Sequence, residues 1–427
     1  VLGGCSKINV ENVEIESYDN ERDLLLGWTD VMQREIPDIV IGYNIFGFDY
    51  KFMYLRAREL GCVEEFLELS KNRDEICGEL TDDGRYKIKE GSIVLASGQY
   101  DLHYVEMPGR IQVDMHNYFR RDYNLQSYKL DHVAGNFIGD KIKKLELCQD
   151  ELTGKDIMKV TSKNLTGLSE GDFITFEEIS HSSNMYMNGR KFKINRIDES
   201  RAWFIVDDVE FIATPPDMSK QVRWGMAKDD VTPQDIFQMT KQGPGPRSVI
   251  AKYCIQDCNL VHHLMRKIDV VTGYVEMANI CSVPMSFLVM RGQGIKLTSY
   301  MAKKCQEKNT LMPVIDKAEG DDGYEGAIVL DPKTDLYDKP VACVDYSSLY
   351  PSSMISENIS HDSKVWTKEY NLEGRLIREV GERDKAGNFI YDTEEMRKAG
   401  YRYVDIQYDT YKYVRKTPKA AAVKIKC

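Results

Sequence analysis

The chain has 427 residues, 42% of them hydrophobic and 29% charged, the make-up of a globular protein with material for about three domains of ordinary size. No run approaches the roughly 18 consecutive apolar residues of a membrane span, and no signal peptide is visible, although a start upstream of Val1 could hold one. The formal net charge of -11 excludes a uniformly basic nucleic-acid binder, while a basic groove can still sit on an acidic protein.

In chain order, Asn20 to Gln33 has helical spacing and leads into a strand over Asp38 to Tyr43. The strand ends in Tyr43-Asn44-Ile45-Phe46-Gly47-Phe48-Asp49, and Tyr50 to Leu60 follow with helical spacing and Gly61 as a cap. Asp49 therefore sits where strand gives way to helix, a place from which a carboxylate can be aimed at a metal ion; an N-capping role is compatible with that. Asp114, closing Arg110-Ile111-Gln112-Val113, reads as a structural cap rather than a ligand.

Between about Asp150 and Arg223 the pattern turns to short strands: Asp172 to Ile179, Met185 to Met187, Lys191 to Ile197 and Ala202 to Val206. Asn188-Gly189 is a hairpin signal between two of them. Strands of this length without helical periods suggest a small β-barrel of about 70 residues, OB-like or SH3-like. Such a barrel could bind DNA or a clamp protein, or act as a spacer. Tyr186, Trp203 and Phe204 could stack on bases or fill its core.

Thr232-Pro233-Gln234-Asp235 is a helix start, with Thr as N-cap and Pro at the first position. Lys241-Gln242-Gly243-Pro244-Gly245-Pro246 reads as a breaker-rich loop. The long helix after it, from about Ser248 to Lys267, carries Tyr253 and Asp257 four residues apart on one face. There the carboxylate can hold a metal while the phenol orients an attacking water, although Y-x-x-x-D alone is a common chance pairing. Ten cysteines include no C-x-x-C pair, and Cys254, Cys258, His262 and His263 make no zinc set of familiar spacing. Free thiols are expected, with neither disulfides nor structural zinc.

Farther on, Pro340-Val341-Ala342-Cys343-Val344 reads as a buried strand that delivers Asp345 to the turn Tyr346-Ser347-Ser348-Leu349-Tyr350-Pro351-Ser352. A carboxylate at a strand end, followed by exposed backbone N–H groups, can hold a divalent metal and a triphosphate together. Ser360 to Gln407 offers charges and turns but no usable motif. Tyr411 to Cys427 carries six basic residues and no acidic one, either a DNA path or a solvated basic face.

Several of these runs share one resemblance. Asp345 to Ser352 resembles motif A of the family B DNA polymerases, D-x-x-S-L-Y-P-S. Tyr43 to Asp49 resembles the family's second exonuclease motif, Y-N-x-x-x-F-D, and Tyr253 to Asp257 its third. Met290-Arg291-Gly292-Gln293 resembles the R-G-Q segment, and Tyr324-Glu325-Gly326-Ala327 the Y-x-G-G/A segment, with turn punctuation as the alternative for both sets of glycines. The order of the three carboxylate motifs strengthens each of them. The chain is similar to delta-type enzymes and, with its 150–223 interruption, to polymerases of large DNA viruses, particularly those infecting algae.

The resemblance implies an α/β fold: an RNase H-like 3'-5' exonuclease domain over 1–149 and 224–310, split by a small inserted β domain at 150–223, then the start of a polymerase palm at 311–427. It implies a DNA-directed DNA polymerase with template-directed, two-metal nucleotidyl transfer and 3'-5' proofreading, each complete active site using two Mg2+ ions. Asp345, Asp49 and Asp257 would be metal ligands, with Tyr253 catalytic beside them. Tyr346, Ser348 and Leu349 would hold the nucleotide, and Tyr350 would pack under its sugar and select deoxyribonucleotides. Arg291, Gly292, Gln293, Tyr324 and Gly326 would contact DNA. The expected partners are primer-template DNA, dNTPs and a sliding clamp, with no membrane, and the expected location is intracellular, in a nucleus or a viral replication compartment.

No D-x-E stands between Val1 and Asp38, ahead of the second exonuclease motif where the family's first belongs, and the second palm motif, D-T-D, is absent, so an internal fragment without activity of its own is expected. A stand-alone exonuclease and a catalytically inactive DNA-binding paralogue are the alternatives. Motif A argues against the first of these.

Overall fold

In the computed structural model, the Asn20 side chain accepts the Asp23 N–H at 2.9 Å and starts helix α1 (Glu21–Glu35). The structure describes every residue except 9, 11, 96–97, 151–153, 181, 201, 228–230, 313, 315–321, 324–327, 410, 415–422 and 427. The chain divides into two units, Val1–Lys304 and Cys305–Cys427.

In the first unit, strand β1 (Ile39–Gly42) is followed by helix α2 (Tyr50–Glu59), the hairpin β2 (Lys89–Leu95) and β3 (Gly98–Tyr104), and strand β4 (Ile111–Asp114). β1 and β4 run parallel, with Gly42 opposite Asp114, so the carboxyl ends of both strands lie side by side. Arg110 locks the start of β4. Its buried guanidinium donates to the carbonyls of Met32 at 2.9 Å, Pro37 at 2.7 Å and Leu69 at 2.9 Å. Helices α3 (Met115–Asp122) and α4 (Leu130–Phe137) then lead out of the parallel pair.

Next comes one eight-stranded antiparallel sheet: β5 (Gly139–Gln149), β6 (Asp156–Ser162), β7 (Phe173–Ile179), β8 (Ser183–Met185), β9 (Phe192–Lys193), β10 (Arg196–Asp198), β11 (Trp203–Val206) and β12 (Gln221–Ala227). The order along the sheet is β8-β7-β12-β5-β6-β11-β10, with β9 also on β7. Phe176, Phe192, Phe204 and Phe211 are fully buried there, each stabilising the unit by about 1.5–3 kcal/mol. Tyr186 packs on three of them, and Trp203 is half-buried beneath the Lys159 ammonium at 4.9 Å. The four phenylalanines and Tyr186 are core rather than a surface for bases, while Trp203 stands half-buried outside that cluster.

Three expectations in this region need correction. Asn188-Gly189 is a turn, but not of a two-strand hairpin: β8 pairs with residues 177–179 of β7, and β9 with residues 173–174. Met187, Asn188 and Gly189 all have positive φ, which widens the turn, and Tyr186 and Phe192 are drawn to the same aromatic cluster over β7. Met185 to Met187 is strand only to Met185. Lys191 to Ile197 is two strands, because Ile194 N–H reaches back to Asp172 while Asn195 N–H turns to Ile205.

Helix α5 (Pro233–Lys241) opens with the expected Thr232 cap, closed as a box by Asp235. Helix α6 (Pro244–Ile268) starts earlier than expected. Pro244 and Pro246 belong to its first turn, where a missing N–H costs no helical bond, and Gly243 at φ 107 makes the entry. Helices α7 (Val270–Cys281), α8 (Met285–Met290) and α9 (Gly294–Glu307) follow.

The second unit holds helix α10 (Leu349–Ser356), the hairpin β13 (Trp366–Tyr370) and β14 (Leu376–Gly381), and a small sheet of Asp322–Gly323, Tyr411–Val414 and Val423–Lys426. Here the expected buried strand over Pro340 to Val344 is overturned. The run is irregular, with Val341 71% and Val344 93% exposed. A strand needs neighbours for its hydrogen bonds and its faces, and no described strand pairs with this one. Among the described residues no helix is long and apolar enough to cross a membrane.

Candidate functional site

The β1–α2 connection is the best-organised polar feature of the first unit. Asn44 adopts the left-handed conformation at φ 64, which an Asn tolerates, and Ile45–Asp49 then make one wide π-helical turn. Asp114, at the adjacent strand end, holds that turn. Its Oδ1 accepts the Asn44 N–H at 2.7 Å and its Oδ2 the Phe46 N–H at 3.1 Å. Oδ1 also accepts the His116 N–H at 3.0 Å and so caps α3. Burial pushes this carboxyl up to about 6, against the pull of the backbone N–H groups that favour its charged form. The capping role read from the sequence is therefore borne out, and the anchoring of the turn adds to it.

The same turn sorts its aromatics by side. Phe46 is buried against Tyr50 and Tyr104. A Cβ at Gly47 would meet the Asn44 side-chain oxygen, which would have to turn aside. Phe48 and Phe52 point outward, 58% and 51% exposed, and stack on each other with centroids 5.6 Å apart and planes 12° from parallel. Sequence reasoning gave these two no role. Their i, i+4 spacing across the start of α2 was the available signal.

Asp49 ends the turn with no hydrogen bond to a helix N–H, so it does not cap α2. Partial desolvation lifts its carboxyl above the usual carboxylate range. Across from it, the Cys258 thiol on α6 is raised by burial first and then by the negative charges of Asp257 and Asp49. Both carboxylates therefore lie within electrostatic range of one thiol, and Tyr253 stands one helical turn before Asp257. Two carboxylates suit a hard divalent cation. Among the described residues no third His, Cys, Asp or Glu joins them in a metal-holding cluster.

The other expected residues lie elsewhere. Arg291 closes α8 with its guanidinium 3.8 Å above the Phe287 ring, and Gly292 and Gln293 are exposed at the turn into α9. In the second unit, Asp345, Tyr346, Ser348, Leu349 and Tyr350 are all exposed. Ser348, at φ 50, starts α10, and the Ser352 hydroxyl donates back to the Ser347 carbonyl at 3.0 Å. Tyr324 and Gly326 fall outside the described residues.

Comparison with known proteins gives a consistent picture. Residues 2–133 match the family described as DNA polymerase family B, exonuclease domain, and residues 283–417 match DNA polymerase family B. The chain is 51% identical, over 99% of its length, to the DNA polymerase of Phaeocystis pouchetii virus, of which it covers 40%. It is 41% identical, over 86% of its length, to the DNA polymerase of Pyramimonas orientalis virus, covering 28% of that protein. Identity to the DNA polymerase delta catalytic subunit of Oryza sativa subsp. japonica is 28% over 85% of the chain and 24% of the subunit. The chain thus spans well under half the length of each relative.

Proposed function

The chain belongs to DNA polymerase family B, and we propose that it serves a DNA-directed DNA polymerase as a 3'-5' proofreading segment joined to a palm segment. The observation that carries this reading is the Asp114-anchored turn, which holds Asp49 within electrostatic range of the α6 residues that follow Tyr253. The finer architecture we assign is an RNase H-like core over 1–149 and 224–310, a barrel-like β insert around 150–223, and a palm from 311. The parallel β1/β4 pair and the antiparallel β5–β12 sheet support it.

In this reading Asp49 and Asp257 contribute ligands to a divalent ion, Mg2+ by preference, which when bound supplies Lewis-acid activation of water and relief of charge on the leaving oxygen. Tyr253 orients the water, and Phe48 with Phe52 offers a face for a base. In the palm, Asp345 would bind metal, Tyr346, Ser348 and Leu349 would hold the triphosphate, and Tyr350 would lie under the sugar. Arg291, Gly292 and Gln293, with Tyr324 and Gly326, would meet DNA. Primer-template DNA, dNTPs and a sliding clamp are the partners we assign, at an intracellular site of DNA replication.

The test uses the chain as it stands. A labelled oligothymidylate with a non-hydrolysable phosphorothioate at its 3' end is titrated with and without Mg2+. Tighter binding with Mg2+ in the wild type, lost in Asp49→Asn and in Asp257→Asn, is the expected result. Equal affinity with and without the ion in the wild type would overturn the assignment of the two carboxylates.

A further inference from the structure

A cleft of about 320 Å³ opens in the first unit between the N-terminal segment, the paired β7 and β9, and α6. Lys7, Lys193 and Lys252 line it, together with Phe173, Tyr253 and Gln256. The lysines come from three separate parts of the chain, and none makes an ion pair or hydrogen bond with any described residue. The chain has 68 acidic and 57 basic residues, so counter-ions are plentiful. Three lysines around one recess, unpaired among the described residues, repel one another unless an anion sits among them. Asp172, beside Phe173, does not serve: its carboxylate accepts the Ser169 N–H at 2.7 Å and faces the Gln256 amide at 3.5 Å. Gln256 also keeps a buried amide oxygen without a hydrogen-bond partner among the described residues.

We propose that this cleft is a phosphate-binding track for single-stranded DNA that leads onto the Tyr253–Asp257 face of α6. Lys252, Tyr253 and Gln256 fall on one stripe of that helix, and Tyr253 belongs both to the cleft and to the face that carries Asp257, one turn or ~5.4 Å along the axis. Lysine ammonium groups take phosphates as point charges, without the planar fork that carboxylate pairing favours in arginine. Lys193 and Lys252 both lie in residues 134–282, between the two family matches, and Lys193 gives the β5–β12 sheet a role at the site. The proposal rests on the exonuclease reading of Asp49 and Asp257.

The experiment measures binding of a labelled oligothymidylate to the whole chain across a KCl series, for wild type, Lys193→Ala, Lys252→Ala and Lys144→Ala. Each phosphate contact on a single strand contributes about 0.7 to the slope of log K against log salt. Lys193→Ala and Lys252→Ala should each lower that slope by about one such step and weaken low-salt binding several-fold. Lys144, on β5 and paired with Glu146 at 2.6 Å, should change neither. Wild-type binding with unaltered slopes in both cleft variants would overturn the track while leaving the Mg2+-dependent test of Asp49 and Asp257 standing. A wild-type chain that binds no oligonucleotide at low salt would overturn both readings. Displacement of the strand by dTMP, phosphate for phosphate, would mark a mononucleotide site instead and overturn the proposal.

Discussion

Asp114 accepts the Asn44 N–H at 2.7 Å across the ends of two parallel strands. With the Phe46 N–H on its other oxygen, a buried carboxylate holds from below the turn that carries Asp49 above. Asp114→Asn tests the arrangement. An amide has one acceptor oxygen, so its NH2 would face a backbone N–H, donor against donor, in a site closed to water. The expected loss is about 1–3 kcal/mol of stability, measured by chemical denaturation, together with loss of Mg2+-dependent oligonucleotide binding. Wild-type stability in the variant would mean that the turn holds its own shape.

The same carboxyl makes a pH prediction. Burial raises it to about 6, above the 3.8 of an unperturbed aspartate, so the folded chain holds this proton more tightly than the unfolded one. Its contribution to stability is then complete below about pH 4 and lost as pH rises through about 6. The stability difference between wild type and Asp114→Asn should accordingly shrink from pH 4.5 to pH 7, other carboxylates cancelling in the subtraction. A difference that grows over that range would show the N–H donors outweighing desolvation.

Gly47 tests the turn from another side. Its φ is not in the left-handed region, so an alanine there is strained only by contact with the Asn44 side chain. Gly47→Ala should cost about 0.5–1.5 kcal/mol as the Asn44 side chain is driven from its rotamer, and weaken Mg2+-dependent binding by disturbing the turn that carries Asp49. Gly61→Ala, at φ 68 with open space around it, forces an alanine into the left-handed region and should cost about 1–2 kcal/mol while leaving Mg2+-dependent binding untouched. Equal effects of the two on that binding would point to general helix destabilisation instead.

What the sequence disclosed follows the range of the interactions involved. Thr232 with Asp235 and Asn20 before α1 depend on neighbours a few residues away and could be read directly, whereas the Tyr43–Asp49 turn shows its motif locally but takes its anchor from distant Asp114. The Lys191 to Ile197 run could not, because its two halves answer to different strands, 172–174 and 203–206. Pro340 to Val344 has the composition of a buried strand, but burial requires a partner, and no described strand supplies one. The site divides in the same way. Asp49, Tyr253 and Asp257 carry recognisable spacing, whereas the Lys7, Lys193 and Lys252 cleft joins positions up to 245 residues apart and leaves no local pattern.

Arg110 makes no ion pair among the described residues, and its guanidinium is satisfied by three carbonyls at the junction of α1, β1 and β4. Arg110→Met keeps much of the volume and strands those acceptors in the core, at an expected cost of about 3 kcal/mol or more. Thermal denaturation of the variant reads this directly, and a loss under about 1 kcal/mol would mean that water replaces the guanidinium.

Phe48 and Phe52 separate function from stability. Both are more than half exposed, so Phe48→Ala removes little buried area and should leave the melting temperature nearly unchanged. A base stacked on an aromatic side chain is worth about 1–3 kcal/mol, so the same change should weaken oligothymidylate binding by roughly 5- to 150-fold if the pair receives a base beside Asp49. Phe46→Ala provides the contrast, since its buried ring packs on Tyr50 and Tyr104 and its loss should destabilise the unit by about 3–5 kcal/mol. Unchanged oligonucleotide affinity in Phe48→Ala would remove the stacking role and leave the exposed pair as the outer face of the turn, with Asp49 alone marking that side of the site.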